Sequence, residues 1–72
     1  MRSVIINIST PFIKLDSLLK LASLTGSGGE AKTVIQEGKV SVDNLVEKRR
    51  GRKIFPGNRV LYDGTELKVL CL

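Results

Sequence analysis

A chain of 72 residues forms one small domain of at most two packed layers, in which only about 60% of the unfolded surface can be buried. Its composition, 42% apolar and 26% charged, excludes a disordered chain, and with Phe12, Phe55 and Tyr62 as its three aromatics the core must be aliphatic. The 12 basic and 7 acidic residues leave a net charge of +5, the charge of the single stretch "KRRGRK" at 48–53. Such a local excess on an otherwise neutral body points to a patch that faces a polyanion.

In chain order, "MRSVIINIST" has one cation and an apolar run of only three residues, too short for a signal-peptide core or a membrane span. A soluble, cytoplasmic protein is expected. Residues 3 to 9 are β-branched and bounded by Thr10 and Pro11, which predicts a first strand. Residues 15 to 24, "LDSLLKLASL", place Leu15, Leu18, Leu19 and Ala22 at i, i+3, i+4 and i+7, the stripe of an amphipathic helix. Asp16 suits its cap or first turn; Thr10 followed by Pro11 is an alternative helix opening.

A glycine turn leads to a second helix. Ser27 and Glu30 have capping-box spacing, Ala31, Val34 and Ile35 form the buried face, and Gly38 ends it in a left-handed conformation. The same stretch, "GSGGEAKT" at 26–33, lies one residue from the phosphate-loop pattern, with Ala31 in place of the second glycine. That motif requires a preceding buried strand within a βαβ unit, whereas a helix precedes it here. A capped turn is the better reading, although its free N–H groups suit a phosphate oxygen of a larger ligand.

From Lys39 onward the period is two. Strands 40–42 and 45–47 flank Asp43-Asn44, whose tolerance of positive φ suits a tight hairpin. Pro56-Gly57 suits a type II turn, and "RVLY" and "ELKVLCL" flank Asp63-Gly64, a second hairpin signal. The order strand, helix, helix, then four or so short strands predicts an α+β fold: two main helices on one face of a small, mostly antiparallel sheet of about five strands. With no repeat or linker, residues 1–72 read as a single domain.

Catalysis has little material. There is no histidine, the acids occupy helix ends and turns, and Cys71 stands alone, suited to be a small apolar residue of a final strand. No enzyme, metal site or cofactor is expected. The basic run is richer: arginine supplies three of its five cations, with the planar fork that fits phosphate oxygens, and Gly51 lets the backbone approach a ligand closely. Membrane attraction would need an apolar anchor beside it, and none is present. Lys20, Lys32 and Lys39, on or after the helices, extend the patch.

The stretches "LDSLLKLASL", "GGEAKTVIQEGKVSVDN" and "RRGRKIFPGNRVLYDG", within residues 15–64, together resemble the αL RNA-binding motif first defined in small-subunit ribosomal protein S-four. The resemblance is closest to short stand-alone bacterial members of the YaaA and YbcJ type. It implies a non-catalytic RNA-binding module for structured RNA of the rRNA or tRNA class, ribosome-associated, with no membrane and no small-molecule substrate as partner. Carried onto this chain, its RNA-binding residues are Lys20, Lys32, Lys39, Lys48, Arg49, Arg50, Arg52 and Lys53. Many members open the second helix with arginine or serine-arginine; Gly28, Gly29 and Glu30 stand here, which shifts weight to the loop. With so few aromatics, phosphate and shape recognition should dominate over base stacking. Replacing Arg49, Arg50 and Arg52 with glutamate is expected to abolish binding while leaving the fold stable. The alternative is a protein adaptor whose basic loop docks on an acidic partner.

Overall fold

The computed structural model describes residues 2–71, as β1 (Arg2–Ile8), β2 (Ile13–Lys14), α1 (Leu15–Leu21), α2 (Gly28–Gln36), β3 (Val40–Val42), β4 (Leu45–Val46), β5 (Lys53–Ile54), β6 (Arg59–Tyr62) and β7 (Thr65–Cys71). The main sheet has the order β1-β7-β6-β3-β4, and β2 and β5 form a separate two-stranded piece. All main-sheet pairs are antiparallel except β1 and β7, which run parallel from Arg2 opposite Thr65 to Ile8 opposite Cys71. The expected α+β layout is therefore present, with one parallel pair added. Leu72, at the end of the predicted last strand, lies outside the described residues.

Alternation decides which strand faces turn inward. Val40 and Val42 of β3 and Thr65, Leu67 and Val69 of β7 are buried, and Ser41 and Lys68 between them are not. Against this face pack Leu15, Leu18 and Leu19 of α1 and Ala31, Val34 and Ile35 of α2, each triplet at i, i+3 and i+4. The buried core is aliphatic throughout; Tyr62 packs at its margin, and neither phenylalanine belongs to it.

The helix ends are set by local hydrogen bonds. Ser27 Oγ accepts from the Glu30 amide at 3.1 Å, one half of the expected capping box. At the far end of α2, Gly38 has φ +78° and donates to Ile35 O while Lys39 donates to Val34 O, a Schellman closure. The same closure ends α1 three residues earlier than the apolar stripe suggested. Ser23 has φ +59°, its amide reaches Lys20 O, and the Leu24 amide reaches Leu19 O, which turns Leu24 back onto the core.

The three predicted turns form. Asp43 and Asn44 (φ +50° and +71°) and Asp63 and Gly64 (+51° and +71°) make the hairpins, and Gly57 (+99°) the type II turn, closed by Asn58 N to Phe55 O at 2.9 Å. Asp43 links two of them: its carboxylate accepts from Asn58 Nδ2 at 2.6 Å and from the Arg59 amide at 3.0 Å.

Candidate functional site

The basic run occupies the connection from β4 into β5, and it is fastened at several points. The Leu15 amide donates to Arg52 O at 2.9 Å and the Asp16 amide to Arg50 O at 3.2 Å. The start of α1 has no side-chain cap at Lys14, so carbonyls of the basic loop fill that role. Asp16 sits in the first turn, its carboxylate accepting from the Ser17 amide. A turn closed by Arg52 N to Arg49 O, and the pairing of Lys53 and Ile54 with β2, complete the frame. At the loop's near end, the Lys48 stem lies against Gly38, where a Cβ would meet Lys48 Cε at 3.4 Å. The loop thus joins the start of α1 to the end of α2.

Glu47 organises the charge. It is 8% exposed, and its carboxylate accepts from Arg49 Nε at 3.0 Å, Arg49 Nη2 at 3.3 Å, Arg52 Nη1 at 2.6 Å and the Arg49 amide at 3.2 Å. These hydrogen bonds, Arg49's first and Arg52's next, outweigh burial and hold its pKa down at about 2, and the same contact raises that of Arg49. One acid therefore fixes two guanidinium planes, while each arginine keeps donors for a ligand. Lys48, Arg50 and Lys53 have no acid partner among the described residues, so five cations face one carboxylate.

Lys14 adds a cation that sequence reading missed. It stands directly opposite Lys53 in the β2–β5 pair, and both are exposed. Like charges opposite one another on paired strands repel, and a bound anion would relieve them.

Two aromatics belong to this surface. The Phe12 and Phe55 rings pack at 5.7 Å with 48° between their planes, and Lys53 Nζ lies over Phe12 at 5.0 Å from its centroid. Phe55 is 48% exposed and, with Arg49, Gly51, Arg52 and Lys53, lines a concavity of about 480 Å³.

Of the expected RNA-binding residues, Lys48, Arg49, Arg50, Arg52 and Lys53 come together. Lys39 follows Gly38, against which the Lys48 stem lies, and is in a surface pair with Glu37 at 3.2 Å. Lys20 and Lys32 are exposed on their helices, and no hydrogen bond or ion pair among the described residues ties them to the loop. One expectation changes. Glutamates at 49 and 52 would set new carboxylates against Glu47, so the triple reversal is expected to disturb the loop as well as binding. Few as the aromatics are, two of the three, Phe12 and Phe55, lie beside the loop. The available signal for Glu47 was its position, an acid immediately before the basic run.

Among the described residues no group of three or more His, Cys, Asp or Glu side chains can hold a metal, and no helix is long and apolar enough to cross a membrane. Cys71 lies in β7 and is exposed.

The family profile of the S4 domain matches residues 6–70 of this chain. The chain belongs to the S4 domain family. The match extends beyond the 15–64 stretch on which the resemblance rested, into β1 and β7 of this S4 domain. YbcJ of Escherichia coli (strain K12), whose name refers to RNA binding, is 42% identical over 60 residues, covering 83% of this chain and 86% of that one. RlbA of Bacillus subtilis (strain 168), whose name refers to ribosome maturation, is 42% identical over 59 residues, covering 82% and 83%. The solution structure of Escherichia coli YbcJ, described as revealing an αL motif involved in RNA binding, matches with a TM-score of 0.68 and 37% identity over 97% of this chain and 87% of that one.

Proposed function

We propose that this S4 domain is a non-catalytic module that holds structured RNA of the rRNA or tRNA class, with the basic loop as the centre of its interface. The names of YbcJ and RlbA support RNA and the ribosome as partners. The observation that carries the reading is the bracing of the loop. Arg50 and Arg52 carbonyls bond to α1 and Glu47 holds the Arg49 and Arg52 guanidinium groups, so the loop backbone and two of its five cations are held in place. A charge kept only for solubility requires no such bracing. Ordering these side chains before binding lowers the entropy lost when phosphates are engaged.

Lys48, Arg49, Arg50, Arg52 and Lys53 make the principal phosphate contacts in this reading, Lys39 borders them, and Lys20 and Lys32 meet RNA that extends along the helices. Crosslinking in cells followed by sequencing of the attached RNA tests the class. Enrichment of rRNA or tRNA fragments is expected, and recovery of neither contradicts it. RNase treatment of a pull-down separates this reading from an adaptor docking on an acidic protein: partners should be lost, and partners retained after RNase favour the adaptor.

A further inference from the structure

We propose that the concavity beside Phe55 takes one unpaired RNA base, stacked on the Phe55 ring, with its adjoining phosphate on the guanidinium groups of Arg49 and Arg52; this rests on the RNA-binding reading above. The chemistry of the lining singles out a nucleotide. A flat π face beside planar guanidinium groups suits a base, since aromatic and arginine planes both stack on bases. The arginines bound to Glu47 keep N–H donors for the charge such a base carries with it. At about 480 Å³ the space lies within the range of small-ligand clefts. A paired base inside a duplex presents only its edge and cannot cover the ring.

The site is also built in advance. Phe55 opens the type II turn, its amide donating to Asn58 Oδ1 at 2.7 Å while its carbonyl accepts from the Asn58 amide at 2.9 Å. Asn58 is in turn held by Asp43 at 2.6 Å. Tilted packing on Phe12 at 5.7 Å supports the Phe55 ring, and the Lys53 ammonium lies over Phe12, while Phe55 is the ring that lines the concavity. At Gly51 a Cβ would meet nothing within 4 Å, so that wall is open to an approaching ligand.

The test compares an RNA hairpin with an all-adenine loop and the blunt duplex of its stem, each titrated against the wild-type chain and against Phe55→Leu, which keeps bulk and removes the π face. Wild type should prefer the hairpin, and Phe55→Leu should reduce that preference by about 5- to 100-fold, the range for losing one stacked base. Phe55→Trp should keep it. A fluorescent purine analogue in the loop should be quenched on binding wild type, a readout that holds even if a variant folds poorly. If wild type binds both probes with no preference and no quenching, or Phe55→Leu weakens both equally, stacking is overturned while RNA binding stands. If wild type binds neither probe, the RNA-binding reading falls and this inference with it.

Discussion

Arg52 Nη1 donates a 2.6 Å hydrogen bond to Glu47 Oε1, which ties the far part of the basic loop to the acid at its beginning. Arg49 shares the same carboxylate, so Glu47→Gln should loosen both guanidinium groups at once. The expected cost is about 1.5–3 kcal/mol, the range for hydrogen bonds to a charged group. Chemical denaturation measures it, and unchanged stability would show that Glu47 does not brace the loop.

The same carboxylate makes stability depend on pH. Its folded pKa of about 2 lies below the ordinary value of 4.5, so the unfolded chain takes up its proton more readily. Its contribution is complete above pH 4.5 and is lost as pH falls towards 2. Denaturation curves for wild type and Glu47→Gln should therefore be farthest apart at neutral pH and converge in acid; a gap constant with pH would contradict the assignment.

Ser23 holds φ +59° at the end of α1, a conformation that glycine adopts without a Cβ penalty. Ser23→Gly should raise stability by about 0.5–1 kcal/mol, the gain from removing the Cβ strain being partly offset by a more flexible unfolded chain. Thermal unfolding reports it as a higher Tm.

Gly38 and Gly51 should respond differently. Gly38 has φ +78°, a left-handed conformation strained for any residue with a Cβ, so Gly38→Ala should cost about 1–2 kcal/mol. Gly51 has open space, so Gly51→Ala should leave stability within about 0.5 kcal/mol while weakening RNA binding several-fold. Unchanged affinity would mean that the RNA does not approach the loop backbone.

Lys14 faces Lys53 across the β2–β5 pair. Lys14→Ala should leave stability equal or slightly higher, because a repulsion is removed, and should weaken RNA binding. If Lys14 meets a phosphate, the salt slope of binding shrinks by about 0.7–0.9. A slope identical to wild type would place Lys14 outside the interface.

Features governed by neighbouring residues were legible in the sequence. Asp43-Asn44, Asp63-Gly64 and Pro56-Gly57 form the turns read from them because few other residues accept those φ values. The stripes of α1 and α2 bury Leu15, Leu18, Leu19, Ala31, Val34 and Ile35, as their spacing indicated, while Ala22 of the first stripe falls at the helix end and is half-buried. The end of α1 was not legible, because Ser23 is an uncommon choice for a left-handed position and the apolar pattern runs on past it. Pairing of β1 with β7 joins the two ends of the described chain and has no local signal. In the candidate site the basic run was visible as charge, whereas the Glu47 fork, the Lys14–Lys53 pair and the meeting of Phe12 with Phe55 depend on the loop's path over α1.

The most direct measurement is the affinity of the chain for a structured RNA hairpin as a function of salt. If the loop engages roughly three to five phosphates, log K plotted against log salt should fall with a slope of about −2 to −4.5, and Arg50→Ala with Lys48→Ala should flatten it. A line without slope would contradict the claim that this surface holds RNA through its phosphates.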